Sequence, residues 1–439
     1  MATATFIEND YSTETAKALV YNAKWFEILV LLLAINFIGN ISKYNLFSLE
    51  KAPIFIFHIA FIIIILGAGV TRYRGYEALI TIKEETASDR MISIDSHLQI
   101  KASNDTFDQS YISKPIHMSE IGFNNINNDY VFDNKKVNIK LQEYIPRAHY
   151  VVKDSTSGAT YLHIVIADKE ERKDFYVKKG DRTSIYGIPI SFENENKQPE
   201  DIFITKKNDI WKASFPKETD YFSMTLNKAS SYPKDSLVPL QFKALSEINK
   251  IPLVFNEVIE NKYLTVESKE RTADKKNPEA AIKLLITSDE KQLETTIFGG
   301  PGYMNPHQTV FINGIHLNIR YGSKPIQLPF SIYLKDFILE RYPGSDSPSA
   351  FYSNLQIQEK NNMFDYTIFM NNVLNHKGFR FFQSAYLPDE SGTILSVNHD
   401  YWGTLITYIG YSLLGLGMLL SLCWRTSYFG FILKLLREK

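Results

Sequence analysis

One ionisable side chain lies inside the most apolar stretch of the chain: His58, within IFIFHIAFIIIILGAGV at 54–70. A charge in hydrocarbon costs about 2.5–3.5 kcal/mol on insertion scales. Histidine can lower that cost by staying neutral. A neutral imidazole facing a helix partner is also a good axial ligand for haem iron. The bland alternative is a packed polar residue with no ligand, and the residues alone do not separate the two. If the segment is helical, Ile54, Phe55, Phe61 and Ile62 fall on the His58 face. Just beyond the run stand Arg72 and Arg74, which could meet an anion or snorkel to the membrane surface. His399, in Asn398-His399-Asp400, precedes another apolar run and has the same two readings. The other histidines (His97, His117, His149, His163, His307, His316 and His376) show no HxxxH or HExxH spacing, which argues against metal binding there. No P-loop, GxSxG or dinucleotide fingerprint appears, and no catalytic residues are assigned.

The elements that must position these groups are three apolar runs, at 25–41, 54–70 and 402–424, each long enough to span a bilayer. The last has Trp402 and Trp424 at its ends, as suits the two interfaces, and Gly417 with Ser421 offers a small-residue pair for close helix contact. The expected organisation is a membrane region at 1–71, a large β domain at 72–400, and a final span with its tail at 401–439. Lys43 and Lys51 in the first loop, and Arg425, Lys434, Arg437 and Lys439 in the tail, place both on the cytoplasmic side, with 72–400 outside. Arg72 and Arg74 oppose this, but long domains translocate regardless of such charges. Three spans then put the N-terminus outside as well, as though a further helix preceded it.

The chain has 439 residues, a net charge of −1 and one cysteine, Cys423. The charge balance argues against a nucleic-acid partner. The lone cysteine excludes disulfides within the chain, a CxxC redox pair and a CxxCH haem attachment site. Within 72–400, short runs alternate apolar and polar residues and are rich in Tyr, Phe, Ile and Val, so a mainly antiparallel β domain is expected. A weak threefold pattern runs through it. IKLQEYI at 139–145, LVFNEVI at 253–259 and IYLKDFI at 332–338 share the form apolar-x-apolar-x-acid-apolar-Ile. After each comes a strand, a charged turn (169–172, 288–291, 359–362) and a second strand. A glycine-led strand then closes each copy, at Gly187, Gly314 and Gly378. Three stacked β units near 134–198, 248–325 and 328–398 are expected, with longer loops at 228–276 and 345–349.

TRYRGYE at 71–77, LPFSI at 328–332, FILERYPG at 337–344, FRFFQS at 379–384 and GTILSVN at 392–398 together resemble the ResB/CcsB family of system II cytochrome c biogenesis. The motifs occur in the family's order from near the first residue to the last span. The resemblance implies a membrane subunit, a non-catalytic or co-catalytic part of a cytochrome c haem lyase complex. It would help export haem b across the bacterial inner membrane and present it to apocytochrome c on the periplasmic side. Implied partners are a CcsA/ResC-like membrane protein, apocytochrome c and a thiol reductase of the ResA type. The partner's tryptophan-rich haem loop is absent: the four Trp are not clustered. His58 falls on the family's membrane histidine, so the resemblance implies an axial haem ligand there. Arg72, Arg74 and His399 are weaker candidates, for the propionates or the haem edge. Two other readings stay open: a membrane-anchored β scaffold or adhesion protein without haem, and a membrane enzyme acting on lipid or cell wall.

Overall fold

The computed structural model describes every residue except 1, 105–106, 169–170, 196, 225, 250, 271–277, 361, 425–427 and 438–439. Arg425 and Lys439, used above for orientation, lie outside the described residues, as do parts of the turns at 169–172 and 359–362.

The helices are α1 (Ala2–Asp10), α2 (Thr13–Ala16), which runs into a π-helical turn at Lys17–Tyr21, α3 (Lys24–Lys43), α4 (Ala52–Arg74), α5 (Tyr401–Cys423) and α6 (Tyr428–Arg437). The spans at α3, α4 and α5 are long and apolar enough to cross a membrane. Pro53 sits in the first turn of α4, where its missing N–H costs nothing. The helix runs four residues past the apolar stretch, so Thr71 to Arg74 are helical too, and ends at extended Gly75.

α4 and α5 meet along two rows of small residues spaced by seven. Pro53, Ala60 and Gly67 are buried on α4, and Gly403, Gly410 and Gly417 on α5. A Cβ at Gly410 would lie 2.6 Å from Ile64 Cγ1 and 3.2 Å from the Ala60 oxygen, so only glycine permits this approach. A seven-residue stripe is the spacing of left-handed helix pairs. The expected pair Gly417 and Ser421 is half right. Gly417 lies in the seam, whereas Ser421 is exposed and donates to the Met418 carbonyl at 2.7 Å.

The 72–400 block is divided between two compact units rather than forming one domain. One comprises 1–96, 117–122 and 323–439; the other 97–116 and 123–322. Strands Thr86–Ser103 and Ile315–Arg341 carry the chain from one unit to the other. In the first unit the strand order is Met363–Phe369, Pro348–Gln358, Ile315–Arg341, Thr86–Ser103, Tyr76–Lys83, Gly392–His399, Phe379–Tyr386, Leu374–His376. Its core includes Ile80, Ile332, Leu334, Leu355, Phe381 and Leu395. The second unit holds sheets of five, six and four strands, and the five- and six-stranded sheets share a core that includes Ile164, Ile190, Phe192, Ile204, Phe215 and Phe255.

The supposed loop at 228–276 is mostly strand: Lys228–Tyr232, Val238–Pro239, Ala244–Ile248 and Ile251–Ser268. Its far part pairs with Ala148–Asp168 as a long ribbon, with Lys262 on Asp154 and Lys153 on Glu267. One face carries Val152, Leu264 and Val266, and cross-strand charge pairs add to the pairing. The expected loop at 345–349 is a turn that ends where Pro348–Gln358 begins.

The threefold pattern is structural. In each copy the pairing slips by one residue just before the motif acid. Leu141 faces Leu284 and Glu143 faces Lys283, skipping Gln142. Phe255 faces Ile164 and Glu257 faces His163, skipping Asn256. Leu334 faces Leu355 and Asp336 faces Asn354, skipping Lys335. A bulge at one fixed place in three copies is a designed feature of the unit. The skipped side chains reach equivalent acids. Gln142 donates to Glu294 at 2.8 Å and Lys335 to Asp365 at 2.7 Å. Asn256 contacts His163 at 3.0 Å, and His163 contacts Asp174 at 2.7 Å. Each copy also closes with a two-residue hairpin turn. Tyr186-Gly187, Asn313-Gly314 and Lys377-Gly378 all have positive φ at both positions, as a type I′ turn needs.

The units are not three self-contained stacks, however. The motif strand of the first copy pairs with the hairpin of the second, Ala280–Ser288, and that of the second with the hairpin of the first, Ala148–Asp168. Only the third pairs with its own hairpin, Pro348–Gln358. This exchange interlocks the first two copies.

Candidate functional site

His58 lies two residues from Ala60 on α4, which places it roughly on the face opposite the α5 seam. Its Nδ1 is 2.8 Å from the Ile54 carbonyl oxygen. A carbonyl can only accept, so Nδ1 carries a proton, and in the neutral ring this tautomer keeps the lone pair on Nε2. The bond also fixes the ring about χ2, the usual way a protein orients a ligating imidazole. Aromatic rings wall it. Phe37 of α3 meets it edge-on at 5.5 Å, Phe57 lies at 6.4 Å, and Phe61 stacks on Phe37 at 5.0 Å. Of the expected neighbours, Phe61 belongs to this cluster and Ile54 supplies the carbonyl, while Phe55 pairs with Phe47 instead. Phe37 was not foreseen, because spacing within one helix says nothing about which residue a second helix brings across.

Arg72 is already engaged. Its Nε and Nη2 both lie 2.8 Å from Glu27 Oε1, and Nη1 donates to the Tyr21 carbonyl at 2.5 Å. The Tyr73 hydroxyl and Lys24 bond the same carboxylate, at 3.1 and 2.7 Å. Arg72 therefore ties the end of α4 to the start of α3, which leaves little of its guanidinium for a haem carboxylate.

Arg74 and His399 do come together. They line a cleft of about 310 Å³ with Val70, Lys377, Gly378, Asp400, Tyr401 and Trp402. The His399 ring stacks on Tyr76 at 4.9 Å and tilts against Phe379 at 4.4 Å. Among the described residues, neither its ring nitrogens nor the Arg74 guanidinium has a hydrogen-bond or ion-pair partner. Lys377 Nζ is 2.9 Å from Glu359 Oε1. Asp400 caps α5: Oδ1 accepts from the Gly403 N–H at 3.1 Å, and Oδ2 accepts from the Thr71 hydroxyl at 2.5 Å. Lys377 was missed in the sequence; its place in the third glycine turn was the available signal.

A second cluster was also not foreseen. Ligand atoms of Glu14, Asp95 and His117 lie within 4.8 Å of one another. The Lys17 ammonium sits among them, 3.0 Å from Asp95 and 3.7 Å from Glu14. Burial works against its charge, but Asp95 and then Glu14 outweigh that and hold its pKa above the ordinary lysine value. A cation of the chain's own thus already pairs with both carboxylates of the cluster.

Three apolar helices, a repeated antiparallel β architecture and an oriented imidazole within one helix define a membrane-anchored β protein with a ligand-competent histidine. The ResB-like family model matches residues 303–400, which contain the whole third repeat and its approach to α5. Protein NrfI of Wolinella succinogenes is 28% identical over 434 residues, covering 98% of this chain and 34% of the relative. The resemblance to the ResB/CcsB family read from the motifs is thereby borne out. The chain spans about a third of the length of the curated relative it matches.

Proposed function

We propose that this chain is a membrane subunit of the system II cytochrome c maturation machinery, and that His58 offers its Nε2 to haem iron as an axial ligand. The observation that carries the reading is the bond from His58 Nδ1 to the Ile54 carbonyl at 2.8 Å, which in a neutral ring selects the tautomer whose Nε2 lone pair can meet a metal. The donor set fits a metalloporphyrin: an imidazole oriented by its Nδ1 bond, beside the apolar rings of Phe37, Phe57 and Phe61. When bound, haem is cargo, and the chain's share is to orient one ligand and exclude water from it. The second axial ligand, and a site to hold the apocytochrome thiols, would come from a CcsA/ResC-like partner, with a ResA-type reductase keeping those thiols reduced. The β units would lie on the periplasmic side of the inner membrane. Arg72 takes a positioning role at the α3–α4 junction, and Arg74 and His399 are treated below.

The test is replacement of His58 by Ala in the complex purified with its native partner. Haem absorption and holocytochrome yield should both fall at unchanged protein level. A normal spectrum and yield would favour a haem-free scaffold.

A further inference from the structure

The cleft where α4 ends and α5 begins has a chemistry that haem ligation at His58 does not use. We infer that it binds the phosphate of a membrane phospholipid, an inference that rests on reading α4 and α5 as spans. Three observations converge on it.

The first is position. The lining joins the last turn of α4 (Val70 and Arg74) to the first residues of α5 (Tyr401 and Trp402). Tyr401 and Trp402 are both exposed. Tyr, Trp and Arg at a helix end mark the depth of the lipid headgroups. Val70, one helical turn deeper in α4 than Arg74, adds an apolar side chain to the lining.

The second is charge. Arg74 presents a guanidinium with no partner among the described residues, and Lys377 adds an ammonium that Glu359 holds at 2.9 Å. Asp400 is the one acid in the lining, and both its oxygens are taken, by Gly403 N–H and Thr71. His399 turns unpartnered ring nitrogens to the same region, its ring held between Tyr76 and Phe379. Arginine binds phosphate oxygens in pairs, lysine acts as a point charge, and an imidazole N–H adds a donor.

The third is size. At about 310 Å³ the cleft lies at the small end of ligand pockets. That suits a glycerophosphate headgroup better than a porphyrin face. Haem contact by Arg74 and His399 is therefore the competing outcome.

The full chain would be purified in detergent, exchanged into phosphatidylglycerol or into the uncharged diglucosyl diacylglycerol, and washed; retained lipid is then counted by native mass spectrometry. Wild type should retain phosphatidylglycerol and not the glycolipid. Arg74→Gln with Lys377→Gln should weaken retention by about tenfold or more, since each basic group near a lipid surface contributes roughly a fivefold factor. Both substitutions are at exposed positions, and Lys377→Gln alone should give an intermediate loss. Equal retention by the double variant, or of the glycolipid, would overturn the inference. Displacement by millimolar inorganic phosphate would reassign the site to free anions, and displacement by hemin to the porphyrin; either also overturns it. Failure of the span reading has its own readout: the chain would leave membranes in an alkaline carbonate wash.

Discussion

The Thr71 hydroxyl donates to the Asp400 carboxylate at 2.5 Å, joining residues 329 apart in sequence. The same carboxylate caps α5 through the Gly403 N–H at 3.1 Å. One acid thus fixes where α4 ends and where α5 begins. A Cβ at Gly403 would lie 2.2 Å from Thr71 Oγ1, so the approach is close enough to require glycine.

Removing that acid should loosen the helix pair. Asp400→Ala is expected to cost about 0.5–2 kcal/mol, the range for a lost N-cap. Asp400→Asn, which can still cap, should cost less. Thermal unfolding of the purified chain in detergent measures both, and equal melting temperatures for wild type and the Ala variant would remove Asp400 from this role.

Gly187 tests the repeat independently of packing. Its φ is +79°, and a Cβ there would meet nothing within 4 Å. Gly187→Ala should therefore cost about 1–2 kcal/mol through backbone strain alone. Gly187→Asn should recover part of that, since Asn tolerates the left-handed region better. If both variants unfold in denaturant like wild type, the type I′ turn is not constraining the hairpin.

Acid stability should reflect Asp201. Its side chain is fully buried, and Arg182 Nε lies 2.9 Å from it. Burial pushes its pKa up, but the Arg182 bonds and the Gln198 N–H outweigh that and hold the carboxyl below the usual aspartate value. A carboxyl depressed in the fold contributes stability that is full above its unfolded pKa, about 4, and is lost as pH falls through its folded value. Arg182→Gln should thus narrow the stability gap from wild type as pH drops from 5 towards 2. A gap of constant size across that range would contradict the assignment.

The sequence made the spans and the repeat legible because both signals are local. An apolar run of sufficient length has few other readings, and a motif such as LVFNEVI at 253–259 keeps its pattern whatever it pairs with. What could not be read was pairing across distance. Nothing in IKLQEYI at 139–145 says that its partner is Ala280–Ser288 of the next copy rather than its own hairpin. The same limit hid Phe37 from His58 and the Glu14, Asp95 and His117 cluster. Arg72 and Arg74 look alike in sequence; two residues of helical phase turn one to Glu27 and the other into the cleft.

The central claim is that His58 Nε2 binds haem iron. The most direct measurement is the visible absorption spectrum of His58→Ala, purified with its native partner, before and after adding imidazole. Ala is tolerated in a span, so protein level should match wild type. The haem bands should be lost or shifted, and imidazole should restore them in part by filling the empty axial position. A wild-type spectrum in the Ala variant, unchanged by imidazole, would contradict the claim.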